Sequence, residues 1–265
     1  MTGDDAADRL DTAIAAAERG GRLALDSFRT ALTVETKAGP MDAVTAVDRA
    51  VQTRVAEFLA DAYPDDAFVG EEDDALKAVP AEGTAWVVDP IDGTANYVAG
   101  SRVWMTSVVA CRDGEPVAAA NYAPATGDLY AAADGRTRRG GDPATVSDTD
   151  DPAAFTINPI FGVSSNHRRE LTDVVETVLA EFGDLRRFGC AQAALSGVAT
   201  GELAAAVSTV ELNDWDTAAG VHLVRRAGGR VTDVHGDRWT PGSEGLIASN
   251  DEAHDTLVDA FEPSE

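Results

Sequence analysis

Lysine is almost missing from this chain of 265 residues: only Lys37 and Lys77 occur, and arginine supplies the rest of the 21 basic groups. Against them stand 46 acidic residues, for a net charge of −25. A chain so acidic is repelled by nucleic acid and by anionic membrane, so neither is expected as a partner. Cysteine is equally scarce. Cys111 and Cys190 lie far apart, give no disulfide framework or metal-binding spacing, and read as reduced, packed thiols. No run approaches the roughly 18 consecutive apolar residues of a membrane span. The opening Met-Thr-Gly-Asp-Asp-Ala-Ala-Asp is acidic where a secretory signal is basic and then apolar, so the expectation is a soluble cytoplasmic protein.

What the chain does have is apolar material and dispersed acid. Hydrophobic residues make up 44% of it, ample for a core in one or two domains. The acids are spread along the chain instead of forming a terminal tail, which reads as adaptation to a high-salt cytoplasm. There the Debye length is about 3 Å at 1 M, self-repulsion is screened, and a carboxylate surface stays hydrated. With 46 acids in 265 residues, about one in six, Asp-x-x-Asp pairs recur by chance. Asp8–Asp11 and Asp148–Asp151 read as such accidents, so context has to separate signal from background.

Residues 86–94, Trp-Val-Val-Asp-Pro-Ile-Asp-Gly-Thr, supply that context. An apolar strand-like run ends in Asp89 and Asp92, and Gly93-Thr94 turns the chain toward a helix start. Clustered carboxylates cost free energy unless a cation neutralises them, so this strand end points to a metal site. The Gly-Thr turn offers N–H groups and a hydroxyl, which suit a phosphate oxygen. Three more acids sit at element ends or edges: Glu71 after Gly70, Asp48 on a helix, and Asp216 at the start of an apolar helix. Each has a plainer reading: Asp89, Asp92 and Asp216 as helix caps, Asp48 as an exposed helix acid, Glu71 as a surface loop acid. Glu72 reads as the solvated partner of Glu71. His167, His222, His235 and His254 are scattered without ligand spacing and read as structural or surface residues.

Periodicity sketches the frame. Leu10, Ile14, Ala17, Gly21, Leu25 and Phe28 form one helical stripe; Val44, Val47, Val51, Val55, Phe58 and Leu59 form another, ended by Pro64. Ala67–Val69 reads as a strand, as do Trp104–Cys111 and Pro116–Tyr122, joined by the hairpin signal Asp113-Gly114. Leu129–Ala133 follows the turn Pro124-Ala125-Thr126-Gly127. Residues 135–153, rich in Gly, Pro, Asp and Arg, mark a seam between lobes. Beyond it, helices are predicted at 168–182, 192–199, 215–227 and 251–261, the last capped by Asn250, with strands at 155–158, 203–208, 230–234 and 246–249. The layout is α+β followed by α/β: an N-terminal lobe over 1–140 and a C-terminal lobe over 141–265, with a ligand cleft between them.

Taken together, the motifs resemble the inositol monophosphatase family of magnesium-dependent, lithium-sensitive phosphatases, including its archaeal-type members active on inositol monophosphate and fructose 1,6-bisphosphate. The resemblance runs through Asp-x-Val-Thr-x-x-Asp at 42–48, Gly-Glu-Glu at 70–72, Asp-Pro-Ile-Asp-Gly-Thr at 89–94 and Asn96-Tyr97. It continues through Phe188-Gly189-Cys190-Ala191, Trp215-Asp216 and Ala227-Gly228-Gly229. It implies a layered αβαβα sandwich of the sugar-phosphatase type and a homodimer. It also implies Mg²⁺, two or three ions, held by Glu71, Asp89, the Ile91 carbonyl, Asp92 and Asp216. Asp48 and Thr94 match the pair that orients and helps deprotonate the attacking water, and Glu71 belongs to the catalytic set as well. Gly93 and Thr94 match the phosphate contacts; Asp92, Ala191, Glu211 and Asp216 match substrate-side positions.

The implied reaction is hydrolysis of a small phosphate monoester by metal-activated water. Inositol 1-phosphate leads as substrate, fructose 1,6-bisphosphate follows, and a 3′(2′),5′-bisphosphate nucleotide is third. Arg186 and Arg187 are candidates for a second phosphate. The chain departs from the family in the stretch Asp134–Gly140, in Glu211, an offset counterpart of the substrate-reading glutamate, and over 158–166 at the pocket rim. Two rivals remain. Haloacid-dehalogenase-type chemistry needs acids at i and i+2, whereas Asp89 and Asp92 are three apart with a proline between. A non-catalytic metal- or phosphate-binding protein would have no use for both Asp48 and Thr94.

Overall fold

The computed structural model describes residues 3–30, 34–36, 43–73, 75–162, 167–252 and 254–262. Asp42 of the first motif and residues 163–166 of the rim segment lie outside the described residues. Among the described residues no helix is long and apolar enough to cross a membrane.

Five layers alternate helix and sheet. Helices α1 (Gly3–Ser27) and α2 (Ala46–Ala62) cover one face of a seven-stranded sheet. Its strands run in order: β3 (Ala67–Gly70), β4 (Thr84–Asp92), β5 (Met105–Arg112), β6 (Glu115–Ala123), β7 (Asp128–Ala132), β8 (Arg138–Arg139) and β9 (Asp142–Pro143). Within this sheet, among the described residues, β3 and β4 pair in parallel and the other neighbouring strands antiparallel. Helices α5 (Ala191–Ala199) and α6 (Asp214–Arg226) form the middle layer, packed on the other face. Beneath them lies a five-stranded sheet ordered β11 (Asp184–Leu185), β10 (Thr156–Pro159), β12 (Ala205–Ser208), β14 (Leu246–Ser249) and β13 (Arg230–Thr232). Helices α4 (Arg168–Glu181) and α7 (His254–Phe261) close its outer face. A short hairpin of β1 (Val34–Thr36) and β2 (Ala43–Thr45) precedes α2, and helix α3 (Thr94–Val98) follows β4. This is the αβαβα sandwich that the family resemblance implies.

Period-two alternation explains how one strand serves two layers. Trp86 and Val88 face the α1–α2 side, while Val87 faces α5 and α6. A run buried on both faces therefore reads as continuously apolar. The β5–β6 hairpin turns at Asp113-Gly114, both at positive φ, 49° and 82°, the pattern of a two-residue turn.

Several boundaries and faces differ from the periodic reading. The stripe assigned to α1 does pack on the core through Leu10, Ile14, Ala17 and Phe28, but the most buried positions are small ones, Ala6, Ala13, Ala16, Ala17 and Ala24, and Leu25 is 38% exposed. Small residues win because the helix lies close to its neighbours; a Cβ on Gly20 would stand 2.9 Å from Val55 Cγ2. Within the expected seam, residues 138–143 form a β-hairpin that extends the first sheet. Asn250 does not cap α7. Its Oδ1, the atom a cap would use, has no hydrogen-bond partner among the described residues, its Nδ2 donates to Ser147 Oγ (3.0 Å) and the Thr149 carbonyl (2.7 Å), and the helix runs from His254. Asp8, Asp11, Asp148 and Asp151 are exposed, as chance acids are. His254 is buried between Thr232 (2.9 Å) and Ser249 (2.7 Å), and burial lowers its pKa to about 4, so it stays neutral and structural.

The middle layer depends on one close approach. A Cβ on Gly220 of α6 would fall 2.4 Å from Leu195 Cβ of α5, an atom that no rotamer change can move. Gly220→Ala should therefore lower stability by about 1–3 kcal/mol through overpacking, despite alanine's higher helix propensity. Urea unfolding of the variant, with its midpoint compared to wild type, checks this; a raised midpoint would mean that the two helices are not in close contact.

Candidate active site

Asp89 and Asp92 are an odd number of positions apart, so a regular strand would point them to opposite faces. The β4–β5 register shifts between these two residues, a bulge that spans Pro90 and Ile91. Proline has no N–H to give the ladder, and Thr106 Oγ1 ties the Pro90 carbonyl down at 2.8 Å. The bulge brings both carboxylates to one side, where Asp216 from the first turn of α6 meets them. One oxygen from each of Asp89, Asp92 and Asp216 lies within 4.8 Å of the other two, close enough to share a cation.

The three acids are held differently. Asp92 sits on the N-terminus of α5, accepting from the Ala191 N–H (3.1 Å), the Gln192 N–H (2.5 Å) and the Cys190 thiol (3.0 Å). It thus caps α5, not the helix that follows it; α3 is preceded by Gly93, with no side-chain cap. Asp216 is the third residue of α6 and accepts from Asn213 Nδ2 at 2.9 Å and from the Asn213 backbone N–H, so it helps cap its own helix while joining the cluster. Asp89 Oδ1 is buried with no hydrogen-bond partner, an arrangement that a cation would satisfy. Burial, then the charges of Glu71, Asp92, Asp216 and Asp48, push the Asp89 pKa well up. Burial and the Asp92 and Glu71 charges push Asp216 up to about 8, against the Asn213 contact.

Glu71 follows β3 and lines the same cavity. Its loop is clamped from both sides. Gln52 exchanges two hydrogen bonds with the Glu72 backbone (2.7 and 2.8 Å), and Lys77 Nζ donates to the Gly70 and Glu71 carbonyls (2.9 and 3.0 Å). Glu72 is not the solvated member of the pair: it is only 3% exposed, because the clamp pulls it inward.

Asp48 is fully buried, not an exposed helix acid. Thr45 and Asp48 form a capping box at the start of α2: Thr45 N–H and Oγ1 donate to Asp48 Oδ2 at 2.8 and 2.6 Å. Asp48 Oδ1 faces Thr94 Oγ1 at 3.2 Å, and the same hydroxyl lies 2.9 Å from the Ile91 carbonyl. Burial raises the Asp48 pKa. Gly93 is at φ 86°, and a Cβ there would come within 3.1 Å of the Val103 carbonyl and 3.2 Å of the Gly189 carbonyl. Only glycine fits where the chain entering α3 crosses the segment leading into α5.

Glu71, Asp92, Gly93, Thr94, Ala191, Asp216 and Arg187 share one cavity, walled also by Ile160, Phe161 and Leu212. Two expected substrate residues do not reach it. Glu211 lies on a neighbouring depression, with Leu212 turned to the cavity instead. Arg186 points outward and pairs with Asp184. Sequence reasoning misses Gln192 altogether, and the parts played by two motif residues: the Cys190 thiol on Asp92, and the Asn96 amide donating to the Val103 and Phe188 carbonyls (2.8 and 2.7 Å). It also misses the Thr45–Asp48 box, although the Thr-x-x-Asp spacing is a readable signal.

A cavity that carries Glu71, Asp92 and Asp216 on a five-layer αβαβα sandwich is the arrangement of a sugar-phosphatase-type hydrolase. The chain belongs to the inositol monophosphatase family, whose sequence model matches residues 5–265, and it is a phosphatase of that family. It is similar to an inositol-1-monophosphatase of Bacillus subtilis, 30% identical over 248 residues, covering 92% of each chain. A fructose-1,6-bisphosphatase/inositol-1-monophosphatase of Aquifex aeolicus is 31% identical over 259 residues, covering 94% of this chain and 93% of that one. Among solved structures, the Thermotoga maritima IMPase superposes with a TM-score of 0.87 at 28% identity, covering 96% of each chain.

Because Asp216 holds a proton up to about pH 8, a divalent cation entering the cluster has to displace it. Titration of Mg²⁺ into metal-free protein should release about one proton or more at pH 7 and fewer at pH 9, with affinity falling as the pH is lowered. Calorimetry in buffers of different ionisation enthalpy checks the sign; proton release that does not change with pH would contradict the raised pKa.

Proposed function

We propose that this phosphatase uses Mg²⁺ to hydrolyse a small phosphate monoester, inositol 1-phosphate first among them. The reading rests on one observation above the others: three acids from two elements converge within 4.8 Å, and a buried Asp89 oxygen is left without a partner. Glu71, Asp89, the Ile91 carbonyl, Asp92 and Asp216 would hold two or three ions. When bound, such ions neutralise charge on the phosphoryl and leaving oxygens and make a water acidic enough to attack.

The chain's own residues divide the remaining work. Thr94 Oγ1 can take a proton from a water and pass its own to Asp48 Oδ1, 3.2 Å away. Thr45 holds the Asp48 carboxylate in place, and burial makes it a stronger base than a surface aspartate. The Gly93–Thr94 backbone faces the cavity as the phosphate seat, and Ala191 and Asp216 flank the alcohol. Asp48→Asn and Thr94→Ala should each lower kcat by about 10²–10⁴ with little change in KM. The double variant should be no worse than the poorer single one, since the two residues act as a unit; full additivity in steady-state kinetics would contradict the relay.

Fructose 1,6-bisphosphate is the second reading, favoured by Arg187 on the cavity wall, the right group for a second phosphate. A phosphate-release panel in molar KCl tests both substrates. Arg187→Ala should depress kcat/KM for the bisphosphate about tenfold or more relative to inositol 1-phosphate, whereas Arg186→Ala should leave the ratio unchanged. Equal effects of the two substitutions would remove the assignment. The reading includes a homodimer working in a salty cytoplasm, supported by the family resemblance and the net charge of −25. Light scattering and activity across a KCl series test those two points.

A further inference from the structure

Gln192 touches both halves of the acid cluster at once. Its backbone N–H donates to Asp92 Oδ2 at 2.5 Å. Its side-chain Nε2 donates to the Trp215 carbonyl at 2.9 Å, and that carbonyl belongs to the peptide bond leading into Asp216. The amide is completely buried. Its orientation is set from behind: Asn121 Nδ2, on β6, donates to Gln192 Oε1 at 2.9 Å and to Ser196 Oγ at 3.1 Å. With the oxygen claimed by Asn121, only the NH₂ end is left to face Trp215. Space for the amide comes from Gly220, where a Cβ would stand 3.0 Å from Gln192 Oε1.

We propose that Gln192 is a positioning residue that sets the distance between Asp92 and Asp216, and so tunes the cluster's affinity for a divalent cation; this rests on the metal reading above. The chemistry suits the task. Two carboxylates in a dry pocket repel each other, and without a tie the start of α6 would relax away from α5. An amide can tie them without adding charge, so its grip does not change with pH or oppose the cation. Partners behind ligands that are buried and directional in this way typically account for about 10–100-fold in metal affinity. The tie also crosses layers: β6 holds Asn121, α5 holds Gln192, and α6 holds Trp215.

The test uses the full chain stripped of metal and titrated with Mn²⁺ alone, free Mn²⁺ being read by its electron paramagnetic resonance signal. Gln192→Met keeps length and the backbone N–H but removes the tie. Gln192→Leu keeps the backbone N–H to Asp92 but removes the donor to the Trp215 carbonyl with no added charge. Each should weaken Mn²⁺ binding about 10–100-fold. For Gln192→Met the metal-free Tm should fall by several degrees, since the Trp215 carbonyl loses its partner, and kcat should still return to within about threefold at saturating Mg²⁺. Wild-type affinity in both variants would overturn the proposal, as would a fall in kcat that saturating metal does not restore. If one variant fails to fold, the other carries the measurement. A wild-type protein that binds no Mn²⁺ would instead overturn the metal reading itself, and with it this inference.

Discussion

Like charges held close together out of water are the constraint around which this molecule is arranged. Asp89, Asp92 and Asp216 would move apart if left to their own repulsion, and burial sharpens that tendency because water no longer screens it. The fold answers with ties of different kinds. Asp92 is gripped by the N-terminus of α5 and by the Cys190 thiol, and Asp216 by Asn213. Asp89 is left with one oxygen unanswered. That asymmetry is what a cation site needs: two acids anchored by the protein, and a third whose partner must come from outside.

The five-layer sandwich makes the convergence possible. The seven-stranded sheet delivers Asp89 and Asp92 at the end of β4, and the middle helices α5 and α6 both begin at the same end. Two helix N-termini therefore point their positive ends at an acidic pocket. They stabilise the carboxylates in the absence of a ligand and suit a phosphate when one arrives. Close packing of α5 on α6 through Gly220 keeps those two ends in register. The outer helices α1, α2, α4 and α7 cover the sheets, but α2 also contributes chemistry. Its capping box points Asp48 at Thr94.

Much of this is legible in the chain itself. The motif acids, the hairpin at Asp113-Gly114, the helices α4 to α6 and the order of layers follow from residue type, spacing and family pattern. Departures arise where direction matters more than spacing. The apolar stripe of α1 packs on the core but misses most of its fully buried positions, because alanine and glycine line a close helix contact there. Glu72 turns inward because Gln52, twenty positions earlier, holds its backbone. Arg186 and Arg187 are adjacent, yet one pairs outward with Asp184 and the other walls the cavity. Asn250 gives its amide N–H groups to a loop about a hundred residues away, and its Oδ1 is left without a partner among the described residues instead of meeting α7.

By itself the sequence determined which chemical groups are present and roughly where each element starts. Apolar periodicity, turn residues and a charge of −25 depend only on local composition. Only the tertiary structure decided which oxygens meet. Asp89 and Asp92 share a side because a bulge reverses the strand's alternation. Asp216 joins them because α6 starts beside α5, where Gln192 can reach the Trp215 carbonyl. Side-chain direction is set by long-range contacts that cancel or invert the local period, and those contacts exist only once the layers have packed.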